Sequence, residues 1–326
     1  MRAPRVLFIC GSHNQTTQMH QIAAALPDVE AVFSPFAFTG TAAVAHRLRL
    51  LDHTVGGPRA VARCLRYLKS HHLQIDTAGR RGGYDLVLLP SDVYVADILR
   101  GTPRVLVQEG ILDPPNPLLH LIRRSRHVPR WLAGTASTGQ SHAYERFCVA
   151  SHGYYDHFVR LGLDPGRLVI TGIPNFDDCA RYRENDFPHR NHVLVCTSDA
   201  RETFKRDDRR GFIRRAVDIA AGRLLLFKLH PNEWMRRAVA EIRRHAPGAL
   251  VYAEGKAEEM VANADVVICQ YSTLAFVALA LGKEVHSYFG LDELRRLLPE
   301  QNGSAAGNIA DVCREVLDLP ARQAAR

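Results

Sequence analysis

Two apolar runs decide how this chain folds. They are Leu224-Leu225-Leu226-Phe227-Lys228-Leu229-His230-Pro231-Asn232-Glu233 and, after a helix and a strand at Ala249 to Ala253, Asp265-Val266-Val267-Ile268-Cys269-Gln270-Tyr271-Ser272-Thr273. Short apolar segments bounded by Gly, Pro or polar residues, alternating with longer helical patterns, mark parallel strands buried on both faces. Sheets of this kind bind ligands at the carboxyl ends of their strands. The first run brings His230 to that edge, and the second brings Ser272 and Thr273 where the chain turns into the apolar helix Leu274 to Leu281. Unpaired amides and the positive end of a helix dipole favour an anion at such a turn, and hydroxyls add donors. The stretch is expected to seat the phosphate of a nucleotide.

The same alternation extends back to the N-terminus. Val6 to Cys10 reads as a strand opening into Gly11-Ser12-His13-Asn14-Gln15. A glycine there lets a ligand approach the backbone, so Gly11 is a candidate phosphate neighbour. The full G-x-G-x-x-G spacing is absent, and a plain strand-to-helix turn is the alternative. Strands at Asp85 to Leu89 and Arg104 to Val107 end in Pro90-Ser91-Asp92 and Gln108-Glu109-Gly110. Asp92 and Glu109 thus fall just past consecutive strands, where functional side chains of open sheets gather. A solvated charge, or a helix cap for Asp92, is the competing reading. Pro114 to Pro129 is rich in proline and arginine, and Leu118 to Trp131 reads either as a peripheral membrane contact or as a solvated loop.

Charged, proline-bearing sequence from Arg181 to Asn191 separates two similar series of strands and helices. The expected domains are residues 1–180 and 181–326. The second series restarts at His192 to Thr197 and runs into a loop bearing Arg201, Lys205 and Arg206. Arg201 and Lys205 are expected to meet phosphate oxygens, with a charged helix start as the alternative.

Bulk properties narrow the classes. A chain of 326 residues, 46% hydrophobic and 23% charged, suits two α/β domains of an ordinary globular protein. Its net charge of +8 fits an anionic partner. The basic residues are dispersed and lack interleaved aromatics, which argues against nucleic acid. The seven cysteines show no C-x-x-C pair, and the 16 histidines match no ligand spacing, so no metal and no cofactor are expected. Neither G-x-S-x-G nor G-x-x-x-x-G-K-[ST] occurs, which excludes serine hydrolase and P-loop chemistry. With no apolar signal segment and no run of membrane-spanning length, the expected location is cytoplasmic, or peripheral to the inner face of the membrane.

These residues together resemble the GT-B superfamily, which includes non-hydrolysing UDP-N-acetylglucosamine 2-epimerases and many glycosyltransferases. Thr171-Gly172-Ile173-Pro174-Asn175-Phe176-Asp177 is similar to its inter-domain T-G-N-x-x-x-D segment. Thr197 to Phe204 resembles the epimerase motif T-x-H-R-R-E-N-F, keeping Thr197, Arg201, Glu202 and Phe204. His230-Pro231-Asn232 resembles the H-P-N turn, and Tyr271-Ser272-Thr273 falls where the family has its S-G-G phosphate loop. Ser91-Asp92 and Glu109-Gly110 resemble the ends of the G-D-T and H-x-E-A-G motifs. The resemblance implies two facing Rossmann-like domains with parallel sheets and an inter-domain cleft.

Departures from the epimerase pattern point toward a transferase. Asp199 stands in place of the motif's histidine, Val277 or Ala278 occupies the place of the ribose-holding glutamates, and the P-E-E carboxylate has no counterpart between Val128 and Ala143. An acid before glycine and an H-P pair instead resemble bacterial sialyltransferases and related Kdo and polyol-phosphate transferases, with Gln108 at the first acid position. No D-x-D sequence occurs, which argues against a metal clamp. The expected activity is inverting, metal-independent transfer from a UDP- or CMP-activated sugar to a sugar or lipid-linked acceptor in cell-surface polysaccharide or glycolipid synthesis. Glu109, or Asp92, is the expected base, and His230 the donor to the leaving phosphate. A sugar-nucleotide epimerase and a non-catalytic nucleotide-sugar binder are the alternatives.

Overall fold

Apolar runs become buried strands. The computed structural model of the chain describes residues 2–38, 40–49, 52, 54–93, 101–114, 117–124, 130–202 and 207–323. Among these, β1 (Arg5–Cys10), β2 (Glu30–Pro35), β3 (Leu86–Leu89), β4 (Arg104–Val107), β5 (Arg146–Val149) and β6 (Leu168–Ile170) form one sheet in the order β2-β1-β3-β4-β5-β6. A second sheet combines β7 (His192–Cys196), β8 (Leu225–Lys228), β9 (Leu250–Tyr252), β10 (Ala264–Cys269) and β11 (Glu284–His286) in the order β11-β10-β7-β8-β9. All pairings are parallel. Parallel neighbours need crossovers, and helices supply them. In the first half these are α1 (His13–Ala24), α2 (Gly40–Arg47), α3 (Pro58–Ser70), α4 (Pro117–Arg124) and α5 (His152–Arg160). The second half has α6 (Arg209–Ala220), α7 (Met235–His245), α8 (Ala257–Asn263), α9 (Leu274–Ala280) and α10 (Leu291–Leu297), and α11 (Ala305–Gln323) follows. None of the described helices is long and apolar enough to cross a membrane.

The chain forms two compact units, Met1–Asp177 with Asn302–Arg326, and Asp178–Gln301. The expected second domain of 181–326 is corrected here. The tail past residue 301 belongs to the first unit, because α11 carries Ile309, Cys313 and Val316 one helical face apart and all three are fully buried in that unit's core. There they join Val6 and Phe8 of β1, Leu88 of β3, Val105 of β4 and Met19 and Ile22 of α1. Each such side chain removed from water is worth about 1.5–3 kcal/mol.

The Leu118 to Trp131 stretch begins in a helix, not in a loop. Residues 125–129 lie outside the described ones, but α4 precedes them, and its Leu119 and Ile122 are buried against Ala133 and Ala136. Leu121 is exposed on the same helix.

The second unit contains a built-in acid sensitivity. His192, the first residue of β7, is fully buried with Phe187 edge-on at 5.8 Å between ring centroids. Burial, and then His189, push its pKa down to about 4. Above pH about 6.5 the ring is neutral in both folded and unfolded chains and contributes no pH dependence. Between pH about 6.5 and 4 the unfolded chain takes up a proton that the folded chain refuses, so stability falls as pH falls, by up to about 3 kcal/mol. Urea denaturation at pH 7 and pH 4.5 is expected to show this loss in the wild type and to show it reduced by that amount in His192→Phe. An equal loss in both proteins would remove His192 as its source.

Candidate functional site

The edge of the second sheet is built on a buried polar network. Beyond β8 the main-chain N–H of His230 donates to Thr197 Oγ1 and to Glu233 Oε2, both at 3.0 Å. The Thr197 hydroxyl itself donates to the same glutamate oxygen. Glu233 pairs with Arg209 at 2.9 Å, and Arg209 also holds Asp207 at 3.0 Å and donates to the Ser198 carbonyl at 2.8 Å. Gln270, at the end of β10, donates to Asp207 at 2.6 Å and accepts from the Ser198 hydroxyl at 2.5 Å. Side chains from the ends of β7, β8 and β10 are thus locked into one hydrogen-bonded group, and Arg209, Glu233 and Gln270 are all buried.

His230 stands on this base with its ring 37% exposed. Its Nδ1 accepts the Asn232 main-chain N–H at 3.2 Å, which leaves the ring proton on Nε2 when the imidazole is neutral. Asp199 lies 3.7 Å from the same Nδ1 and accepts from the Asn232 side chain at 3.0 Å. The residue that replaces the epimerase histidine therefore attends His230. Among the described residues, no group bonds Nε2.

Ser272 and Thr273 follow β10. The Ser272 hydroxyl accepts from the Leu274 N–H at 3.3 Å, and Thr273 caps the seven-residue α9. In the sheet β7 separates β8 from β10. His230 and the hydroxyl pair therefore rise from one edge, about 10 Å apart by strand spacing.

The cations expected beside them are placed otherwise. Arg201 is a correction: its guanidinium makes two 2.8 Å bonds to Glu241 and lies 3.4 Å from Asp207. It braces α7, with two carboxylates of its own unit already around the guanidinium. Lys205 lies outside the described residues.

In the first unit the carboxyl ends of β1 and β4 meet at Glu109. The Ser12 hydroxyl donates to its Oε1 at 2.8 Å, and Gln15 Nε2 donates to its Oε2 at 2.5 Å. Burial raises the pKa of Glu109, and these two bonds pull it partly back. The residue keeps some exposure. Gly11 adjoins this cluster for a steric reason. A Cβ there would come within 2.0 Å of Gln15 Oε1, so glycine leaves space for the glutamine to fold back.

Asp92 is the second correction. It is 0% exposed, and its oxygens accept the main-chain N–H groups of Gly139 at 2.8 Å and Ser141 at 3.0 Å. It pins the 139–141 turn and is no base for a substrate. Gln108, at the first acid position of the transferase motif, is likewise structural, accepting from Ala150 N–H and donating to the Gly110 carbonyl, both at 2.9 Å.

Sequence reasoning missed the partners that hold these groups: Ser12 and Gln15 for Glu109, and Arg209, Glu233 and Asp207 beneath His230. For the first pair a signal existed, since Ser12-x-x-Gln15 has the capping-box spacing.

Two all-parallel, helix-covered sheets in this order, each with its polar groups at the strands' carboxyl edge, make this a GT-B fold. No family model and no curated protein matches the chain. Solved structures do. The UDP-GlcNAc 2-epimerase from Neisseria meningitidis bound to UDP-GlcNAc is similar over 96% of this chain and 99% of its own, with a TM-score of 0.59 at 11% identity. S. aureus MnaA with UDP covers 97% of both chains at a TM-score of 0.58 and 11% identity. The wall teichoic acid polymerase TagF matches 98% of this chain with 90% of its own, at a TM-score of 0.54 and 9% identity.

Proposed function

We propose that the chain is an inverting, metal-independent glycosyltransferase that uses a nucleotide-activated sugar. The observation that carries this reading is the hydrogen bond from the Asn232 N–H to His230 Nδ1, which assigns the neutral ring's proton to Nε2 at the sheet edge that also bears Ser272 and Thr273. A leaving phosphate at that edge receives a hydrogen bond or proton from Nε2, and the hydroxyls offset its growing charge. Glu109 takes the proton of the acceptor hydroxyl, its raised pKa bringing it nearer the working range of a general base. The acceptor is a sugar or lipid-linked sugar of the kind used in surface polysaccharides, and the protein works in the cytoplasm or against the membrane. UDP- and CMP-sugars are the favoured donors.

A thermal-shift panel of UDP, CMP, CDP and GDP sugars tests the reading. A donor at 100 times its Kd is expected to stabilise the protein by about 2.7 kcal/mol, and a panel with no upward shift would overturn donor binding.

Epimerisation is the second reading, supported by the similarity to the Neisseria meningitidis UDP-GlcNAc 2-epimerase bound to UDP-GlcNAc. Incubation of a UDP-sugar alone in heavy water separates the two: deuterium at C2 supports the epimerase, because a transferase needs an acceptor. Tight nucleotide binding with no product across the panel would support a sensor.

A further inference from the structure

Glu109 is held by a device that also starts a helix. Ser12 is the N-cap of α1, and its capping box is complete. The Ser12 hydroxyl accepts from Gln15 N–H at 3.1 Å, and Ser12 N–H donates to Gln15 Oε1 at 3.0 Å. The remaining donor of each side chain goes to one oxygen of Glu109. We propose that this capping box is the clamp that orients Glu109 and that the Ser12 hydroxyl is the route by which the acceptor's proton reaches it. The inference rests on Glu109 as the base and adds what serves it.

The two donors are not equivalent. Gln15 has its Oε1 fixed by the Ser12 N–H, so its amide cannot turn over, and Nε2 presents only hydrogens to Oε2. A proton on Oε2 would oppose them. Ser12 Oγ has one hydrogen and two lone pairs, and only one lone pair is taken by Gln15 N–H. Its second lone pair accepts the acceptor's O–H while its own hydrogen passes to Oε1. In the step, the acceptor O–H bond breaks and its proton joins Ser12 Oγ. The Ser12 O–H bond breaks and that proton joins Glu109 Oε1. The acceptor oxygen keeps the electron pair and forms the new bond to the sugar carbon, whose bond to the phosphate oxygen breaks. Ser12 is partly exposed, as contact with an acceptor requires, whereas Gln15 is buried and acts only by positioning. No charged side chain among the described residues joins burial and these two bonds in setting the protonation of Glu109.

Three substitutions test this without losing the helix start. Glycine is nearly as good an N-cap as serine, threonine keeps cap and hydroxyl, and glutamate at the third helical position completes a capping box. The infrared carboxyl titration of Glu109 is read in the intact, ligand-free protein and assigned by Glu109→Gln. It is expected to move upward in Ser12→Gly and in Gln15→Glu and to stay near wild type in Ser12→Thr. An unmoved titration in the first two would overturn the clamp. With the donor and acceptor that support turnover, Ser12→Gly is expected to lower kcat by 100-fold or more with little change in KM, and Ser12→Thr to restore it. Full rate in Ser12→Gly with Glu109→Gln inactive would overturn the relay and leave the base assignment standing. Activity in Glu109→Gln would remove the base assignment, whatever the titration shows.

Discussion

Arg209→Met is expected to cost about 3–5 kcal/mol of stability. Arg209 is 5% exposed and stands between two carboxylates, Asp207 and Glu233, whose side chains are 0% and 1% exposed. Methionine matches the length of its stem but leaves both acids in the interior with less compensation. Asp207 keeps Gln270, and Glu233 keeps Thr197 and the His230 N–H, so the turn survives in a weakened form. Urea denaturation of the full chain reads the effect. Adding Glu233→Gln is expected to return part of the loss, since one stranded charge is then neutral. A cost below about 1 kcal/mol for the single variant would mean that the network is more hydrated than its burial states.

His230→Ala and Glu109→Ala are each expected to reduce turnover by about 100- to 10,000-fold, the range for losing a general acid or base. Both variants should fold. Thr197 and Glu233 hold the turn through the main-chain N–H of residue 230, which alanine keeps, and only the Asn232 N–H loses its partner on the ring. Removing the Glu109 carboxylate leaves Ser12 and Gln15 still paired with each other. Circular dichroism and the thermal midpoint serve as controls. Full activity in both variants would end the transferase reading as built on these two residues.

The sheet edges were legible because strands of four to six apolar residues stop abruptly, and the next residue then lies at the carboxyl edge whatever the tertiary detail. That logic located His230, Ser272, Thr273 and Glu109. It could not say which charged groups were already taken. Arg201 and Asp92 also follow strands within a few residues, yet Glu241 on α7 captures the first and the main chain of residues 139–141 captures the second. Those partners lie 40 or more residues away along the chain, and periodicity carries no information about such pairings. Arg209 drew no notice in the sequence for the same reason. The placement of α11 was hidden too, because its apolar face would cover either sheet equally well.

That placement has a consequence for synthesis. On the ribosome residues 1–177 emerge before the second unit, yet their sheet keeps an uncovered apolar surface until α11 arrives to occupy it. The middle segment is made from one unbroken length of chain and can finish folding earlier than the segment that precedes it. The usual vectorial order is thereby inverted, and the early-made portion is the one with most need of a chaperone while translation continues.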